Sequence, residues 1–177
     1  GEARRWNSHS NLKTGIALGS NLSDRTAHLQ AGREMVAMLH ERSSPPLCSG
    51  LYETEPMDCA PGTTPFLNAV MQIETSLEPS ALLAQLRAIE RSRGRHDSAP
   101  KNSPRELDLD LLYAGPVEVV TETLQLPHPR LGARRFVLQP LADICPDLVL
   151  PGQAEPVASL LIRLPASPAV RLLAADW

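Results

Sequence analysis

Apolar and polar positions change their period several times along this chain. Residues 14–19 form a short apolar run that ends in Gly19-Ser20-Asn21, and Ser23-Asp24 then offer short side-chain oxygens suited to capping a helix start. Leu29, Val36 and Leu39 follow at helical spacing while Arg25, Arg33 and Glu34 fall on the wet side, which predicts strand, turn and a helix to about His40. The Pro45-Pro46 pair precedes a second strand at 47–53. Residues 55–65 are rich in Pro, Gly and Thr and predict a ligand-covering loop. Alternation returns at 66–76 as a strand, and Glu78-Pro79-Ser80 opens a helix whose Leu82, Leu83, Leu86 and Ile89 share one apolar face, stopped by Gly94. Two prolines and no period mark 96–104 as a second long loop, with Arg95, Lys101 and Arg105 at and near its borders. Segments 107–113 and 117–120 flank Ala114-Gly115-Pro116 and predict a hairpin with a short partner strand. A third helix is predicted after Arg134, and the tail from Val157 is helix-prone but interrupted by Pro165 and Pro168, so no element is assigned there.

Irregular interleaving of strands and helices, with a hairpin among them, favours an α+β fold over a doubly wound parallel sheet. A length of 177 residues suits one domain, taken as residues 14–177. Residues 1–13 are polar and lack the apolar core of a secretory signal, so they read as an extension or an expression remnant. An opening Gly1 in place of methionine suggests processing or excision from a longer chain.

Composition narrows the function classes. Hydrophobic residues at 42% and charged residues at 21% are ordinary for a globular protein, and no apolar stretch approaches the roughly 18 residues that span a bilayer. A net charge of -3 gives no general attraction for nucleic acid, so a bound polyanion would need a local basic cluster or metal ions. Cys48, Cys59 and Cys145 are odd in number and contain no C-x-x-C pair, which argues against a disulfide framework or structural zinc and fits a cytoplasmic location.

The most informative stretch is Pro104-Arg105-Glu106-Leu107-Asp108-Leu109-Asp110-Leu111-Leu112. Strand period puts Asp108 and Asp110 on one face, with Cα atoms about 6.6–6.8 Å apart, and Leu107, Leu109 and Leu111 on the other. Adjacent carboxylates repel unless a cation lies between them, and hard oxygen ligands favour Mg²⁺. The same pattern also describes an amphipathic strand whose aspartates are merely solvated.

That stretch, in its setting, resembles the signature of the 6-hydroxymethyl-7,8-dihydropterin pyrophosphokinases. The resemblance runs from about Thr14 to about Leu150 through Ala17-Leu18-Gly19-Ser20-Asn21-Leu22, Tyr52-Glu53-Thr54, Phe66-Leu67-Asn68-Ala69, Ile89-Glu90 and Gly94-Arg95. It closes with Leu126-Pro127-His128-Pro129-Arg130 and the run from Arg134 through Phe136 to Leu141. It implies a ferredoxin-like antiparallel or mixed sheet with helices on both faces. It also implies transfer of pyrophosphate from Mg-ATP to a pterin alcohol, with AMP released, by a monomer or by one domain of a folate-pathway fusion.

The resemblance assigns roles residue by residue. Asp108 and Asp110 hold two Mg²⁺ ions, and Arg95 and Arg105 are catalytic arginines. Glu90, Lys101, His128 and Arg134 belong to the nucleotide site. Phe66 and Phe136, the only phenylalanines in the chain, sandwich the pterin, while Thr54 and Asn68 read its edge. Four positions depart from the family: Asn102 stands where many members carry a loop tryptophan, Ser103 replaces a glycine, and Glu55 and Met57 replace a proline and a leucine. Another Mg-dependent nucleotidyl or phosphoryl transferase, or a catalytically silent ligand-binding module, remains compatible with D-x-D spacing alone. An RNA-binding module lacks its aromatic strand pattern.

Overall fold

The computed structural model describes residues 11–56, 61–95 and 104–177. The first apolar run is strand β1 (Leu12–Ser20), and Asp24 caps helix α1 (Arg25–Ala37) by accepting the Ala27 N–H at 3.1 Å. Two short strands follow, β2 (Leu47–Cys48) and β3 (Leu51–Thr54), then the long strand β4 (Phe66–Thr75). Helix α2 (Pro79–Ser92) begins with proline in its first turn, where the missing N–H costs nothing. The chain continues through β5 (Asp108–Ala114), β6 (Val119–Val120), β7 (Gln125–Leu126), a single 3₁₀ turn (Leu131–Ala133), α3 (Arg135–Ile144), α4 (Val157–Arg163) and β8 (Val170–Ala174).

The main sheet runs β5-β1-β4-β3-β8, with β2 also paired to β4, and each of these pairings is antiparallel. Helix α1 carries the chain from β1 across β4's far side to β3, and α2 carries it from β4 back to β5. This βαββαβ order, with β1 and β4 at the centre, is the ferredoxin-like arrangement. Alternate residues of the central strands feed two cores. Ile16, Leu18, Leu109 and Leu111 pack with Leu29 and Val36 of α1 and Leu82 and Leu86 of α2. On the opposite face Val70, Leu112 and Tyr113 pack with Val137, Leu138 and Leu141 of α3 and Val157 of α4. Helices therefore cover both faces, and among the described residues no helix is long and apolar enough to cross a membrane.

Two expectations from the pattern need correction. The segment 47–53 is two strands, because at Ser49-Gly50 the chain makes room for its own C-terminal strand. A Cβ on Gly50 would lie 2.8 Å from Leu172 and 3.1 Å from the Ala174 carbonyl. Ser49 keeps contact with the sheet through its side chain, accepting the Val70 N–H at 2.9 Å. The predicted hairpin of 107–113 with 117–120 does not form: Val119 and Val120 pair with Leu126 and Gln125 in a separate two-stranded ribbon. Pro116 cannot donate to a ladder, and the outer side of β5 is taken at Leu112 by the His128 N–H, 2.7 Å from the Leu112 oxygen. The tail, to which the pattern assigned no element, supplies α4 and the edge strand β8. Beyond them, Trp177 packs 5.0 Å under the Arg33 guanidinium and donates to the Ser49 carbonyl at 2.9 Å. The loop expected at 96–104 lies outside the described residues except for Pro104.

Gly15 is where β1 and β5 slip by one residue, and the Tyr113 ring fills the space above it, with Tyr113 Oη donating to Gln72 Oε1 at 2.6 Å. A Cβ there would come within 2.2 Å of the ring. Gly15→Ala is therefore expected to lower the thermal midpoint by roughly 3–10 °C through overpacking of about 1–3 kcal/mol. Circular dichroism melts of the two proteins measure this, and an unchanged midpoint would show that the ring moves aside freely.

Candidate active site

The antiparallel register places the chemistry in one transverse row. Asp108 sits opposite Gly19, Gly19 opposite Asn68, and Asn68 opposite Tyr52, while Asp110 sits opposite Ala17 and Phe66 opposite Thr54. Because side chains alternate, Asp108 and Asp110 stand on the α3 face, with Leu109 and Leu111 buried on the other. Gly19 leaves the floor between Asp108 and Asn68 bare; a Cβ on it would sit 3.4 Å from Asn68 Oδ1. The result is a cleft of about 300 Å³ with Asp108, Asp110 and Arg134 toward one side and Thr54, Phe66, Asn68 and Phe136 among its other walls. Glu55, Pro56 and Pro168 also line it.

Each wall is fixed by a local cause. Asn68 donates from Nδ2 to Thr54 Oγ1 at 2.9 Å, so the two predicted edge-reading groups orient each other. Arg134 precedes α3, and its guanidinium lies 5.5 Å from the Phe136 ring centroid, within cation–π range. Arg105 is held by exchange with Asn21: its N–H donates to Asn21 Oδ1 at 2.8 Å, and its carbonyl accepts the Asn21 N–H at 3.1 Å. Its guanidinium then lies 3.5 Å from Asp108. His128 accepts the Arg130 N–H at Nδ1, 3.2 Å away, which leaves Nε2 as the protonated nitrogen. Burial, with Arg134 and Arg130 nearby, pushes its pKa below the usual imidazole value.

Burial is the larger cause and the charge of Asp108 the next in lifting the Asp110 pKa to about 6, against the pull of Arg87 and Arg134. Its charge is thus incompletely compensated by protein groups. Among the described residues no group of three or more His, Cys, Asp and Glu side chains is placed to enclose a metal. Two carboxylates on an open cleft instead suit a hard cation that keeps positions for water and substrate oxygens, as Mg²⁺ does.

Glu90 departs from the expectation of a nucleotide contact. It is fully buried (0% exposed), and both its oxygens are taken by the protein. Oε2 accepts the Leu109 N–H at 2.8 Å, and Oε1 accepts Nη1 of Arg87 at 2.7 Å and Nη1 of Arg95 at 2.5 Å. Burial raises its pKa, while the Leu109 N–H and Arg87 pull it down. Arg95, held by Glu90, does not line the cleft, and neither do His128 and Arg105, though Arg105 reaches Asp108. Lys101, Asn102, Ser103 and Met57 lie outside the described residues. The sequence reading missed Arg87. One signal was present: Glu90 falls eight residues after Leu82 and four after Leu86, in the buried stripe of α2, and a carboxylate there requires cationic partners.

The sign of the Asp110 effect gives a prediction. With its folded pKa above the unfolded value of 3.8, the free protein favours protonated Asp110, so stability falls as pH rises from about 4 through 6 and stays lowered above that. Asp110→Asn removes this penalty. The metal-free variant is expected to melt several degrees above the native chain at pH 8 and level with it near pH 4. Melting curves in EDTA at both pH values measure it, and equal midpoints at pH 8 would show that the charge is already compensated.

Comparison with known proteins identifies the family. Residues 15–146 match the family described as 7,8-dihydro-6-hydroxymethylpterin-pyrophosphokinase. The chain is 42% identical over 132 residues to a 2-amino-4-hydroxy-6-hydroxymethyldihydropteridine pyrophosphokinase of Bacillus subtilis, covering 73% of this chain and 76% of that one. A Pseudomonas aeruginosa protein of the same name is 40% identical, covering 77% and 82%. The folic acid synthesis protein fol1 of Pneumocystis carinii is 39% identical over 89% of this chain, which spans only 21% of that longer protein. Among solved structures, a Plasmodium falciparum HPPK-DHPS shares the fold at a TM-score of 0.68 and 14% identity, over 88% of this chain and 44% of that one. With matched residues reaching from β1 to the end of α3, the chain belongs to the 7,8-dihydro-6-hydroxymethylpterin-pyrophosphokinase family.

Proposed function

We propose that this chain transfers the terminal pyrophosphoryl group of ATP to the hydroxymethyl oxygen of 6-hydroxymethyl-7,8-dihydropterin in folate synthesis. The bond formed is from that oxygen to the β-phosphorus. The bond broken links the β-phosphorus to the oxygen bridging it to the α-phosphorus; AMP leaves with that oxygen, and the hydroxyl proton passes to solvent. One observation carries this reading: a single cleft joins two aromatic walls and an amide-hydroxyl edge to a carboxylate pair whose buried member, Asp110, has its pKa lifted to about 6. The 42% and 40% identities to named pyrophosphokinases, over most of both chains, support the same reaction.

Phe66 and Phe136 offer flat apolar faces to the pterin ring, and Thr54 with Asn68 offers hydrogen-bonding groups to its edge. Asp108 and Asp110 would hold two Mg²⁺ ions, which when bound neutralise phosphate charge and align the attacking and leaving oxygens. Arg105 and Arg134 flank that pair and supply forked donors to phosphate oxygens. Arg95, just past the end of α2, and Lys101 serve the phosphates, and His128 offers its Nε2 hydrogen to the nucleotide. Glu90 acts on the nucleotide indirectly, through the groups it holds. Several relatives are long proteins of which this chain spans about a fifth to a quarter, so the unit works either alone as a monomer or joined to other folate enzymes.

A coupled assay for AMP with the pterin alcohol, ATP and Mg²⁺ tests the reaction: pterin-dependent AMP is expected, and ADP or pyrophosphate in its place would reject it. Asp108→Ala and Asp110→Ala are each expected to lower turnover at least about 10²-fold while leaving a cooperative melt. Near-normal turnover in either would remove the carboxylate pair from the mechanism. Arg95→Ala should reduce kcat more than it raises KM for ATP, the mark of a contact made mainly in the transition state. A raised KM with kcat unchanged would make it a simple anchor.

A further inference from the structure

The carboxylate pair stands on the last strand of the main sheet, so on one side β5 has no neighbouring strand of that sheet to fix its backbone. The peptide groups of Leu109, between the two aspartates, are satisfied by α2 side chains instead. The Leu109 N–H donates to Glu90 Oε2 at 2.8 Å, and the Leu109 carbonyl accepts Arg87 Nη1 at 2.8 Å. The same Arg87 nitrogen also lies 2.7 Å from Glu90 Oε1, which closes a ring of three hydrogen bonds through one peptide residue, one carboxylate and one guanidinium. Glu90 is sealed from solvent, whereas Arg87 is part-buried, so the arginine is the member that can be replaced without opening the core.

Resting on the metal assignment above, we propose that Arg87 is a positioning residue for Asp108 and Asp110. It completes a clamp on both polar groups of Leu109 and thereby fixes the pitch of the strand on which the two carboxylates stand. The physical need is geometric. Mg²⁺ demands near-ideal octahedral distances, and a twist of the β5 backbone at Leu109 would swing the flanking side chains in different directions. An ordinary ladder partner would prevent this by hydrogen bonds to a neighbouring strand; at the sheet's end Arg87 and Glu90 do so. Arg87 also gives the buried Glu90 carboxylate a second cation besides Arg95. A guanidinium suits this task because the two hydrogens on that one nitrogen are held in a fixed plane and can meet a carboxylate and a carbonyl together.

The test compares wild type, Arg87→Met and Arg87→Gln by three measurements. Mn²⁺ binding is titrated by electron paramagnetic resonance with a non-hydrolysable ATP analogue present, kcat and KM for the pterin are measured with Mg²⁺, and exchange of the Leu109 amide is followed by NMR in the free protein. The Met variant is expected to bind Mn²⁺ roughly 10–100-fold more weakly and to lose kcat in the same range, with KM for the pterin within about twofold. Leu109 exchange should accelerate by more than about tenfold, beyond any change at core amides such as Leu18. The Gln variant, which can reach one partner but not both, should fall between and decides the matter if the Met variant does not fold. Unchanged Mn²⁺ affinity in a folded variant, or Leu109 exchange that only follows the core, would overturn the proposal and leave Arg87 as a surface staple. Failure of wild type to bind Mn²⁺ with nucleotide would defeat the metal assignment and with it the positioning role.

Discussion

The repulsion between Asp108 and Asp110 is the constraint around which the site is built. Strand geometry brings the two carboxylates to the same face, and burial of Asp110 makes the second charge expensive enough to lift its pKa to about 6. A protein could relieve that by closing a salt bridge over both groups. Here Arg105 stands 3.5 Å from Asp108 and the charge of Arg134 acts on Asp110, while the floor beside them is left bare at Gly19. Electrostatic stress is thus retained where a cation, though not an anion, would release it.

Such a site works only if its support is rigid, and the two faces of the sheet divide that labour. On the α1 and α2 face, Leu109 and Leu111 lie in a continuous apolar core, and the buried Glu90 ties the β5 backbone to α2. On the opposite face, α3 covers the sheet through Val137, Leu138 and Leu141, while Phe136 and the preceding Arg134 face the cleft. Tyr52 adds a polar tie across this face, donating to Asp143 Oδ2 of α3 at 2.6 Å. The packing that stabilises one side of β5 therefore holds steady the carboxylates on its other side.

Much of this was legible along the chain. The period-2 pattern at β5 put both aspartates on one face, and helical spacing found α1 and α2, because those signals depend on residues a few positions apart. The motif pieces, taken in order, identified the family, and Thr54, Phe66, Asn68, Asp108, Asp110, Arg134 and Phe136 do converge on one cleft. The split at Ser49-Gly50, the failed hairpin after Gly115 and the edge strand β8 were not legible. Each is imposed by a segment distant in sequence: Leu172 and Ala174 against Gly50, and His128 on the outer side of β5.

Side-chain roles divide along the same line. The sequence by itself determined which residue types could do the chemistry, since charge, ring shape and donor count belong to the residue and survive any fold. Tertiary structure alone decided that Glu90 meets the Leu109 peptide and that Asn21 holds Arg105. Those outcomes depend on where α2 and the end of β1 meet β5, and contacts across so many intervening residues leave no local period to read.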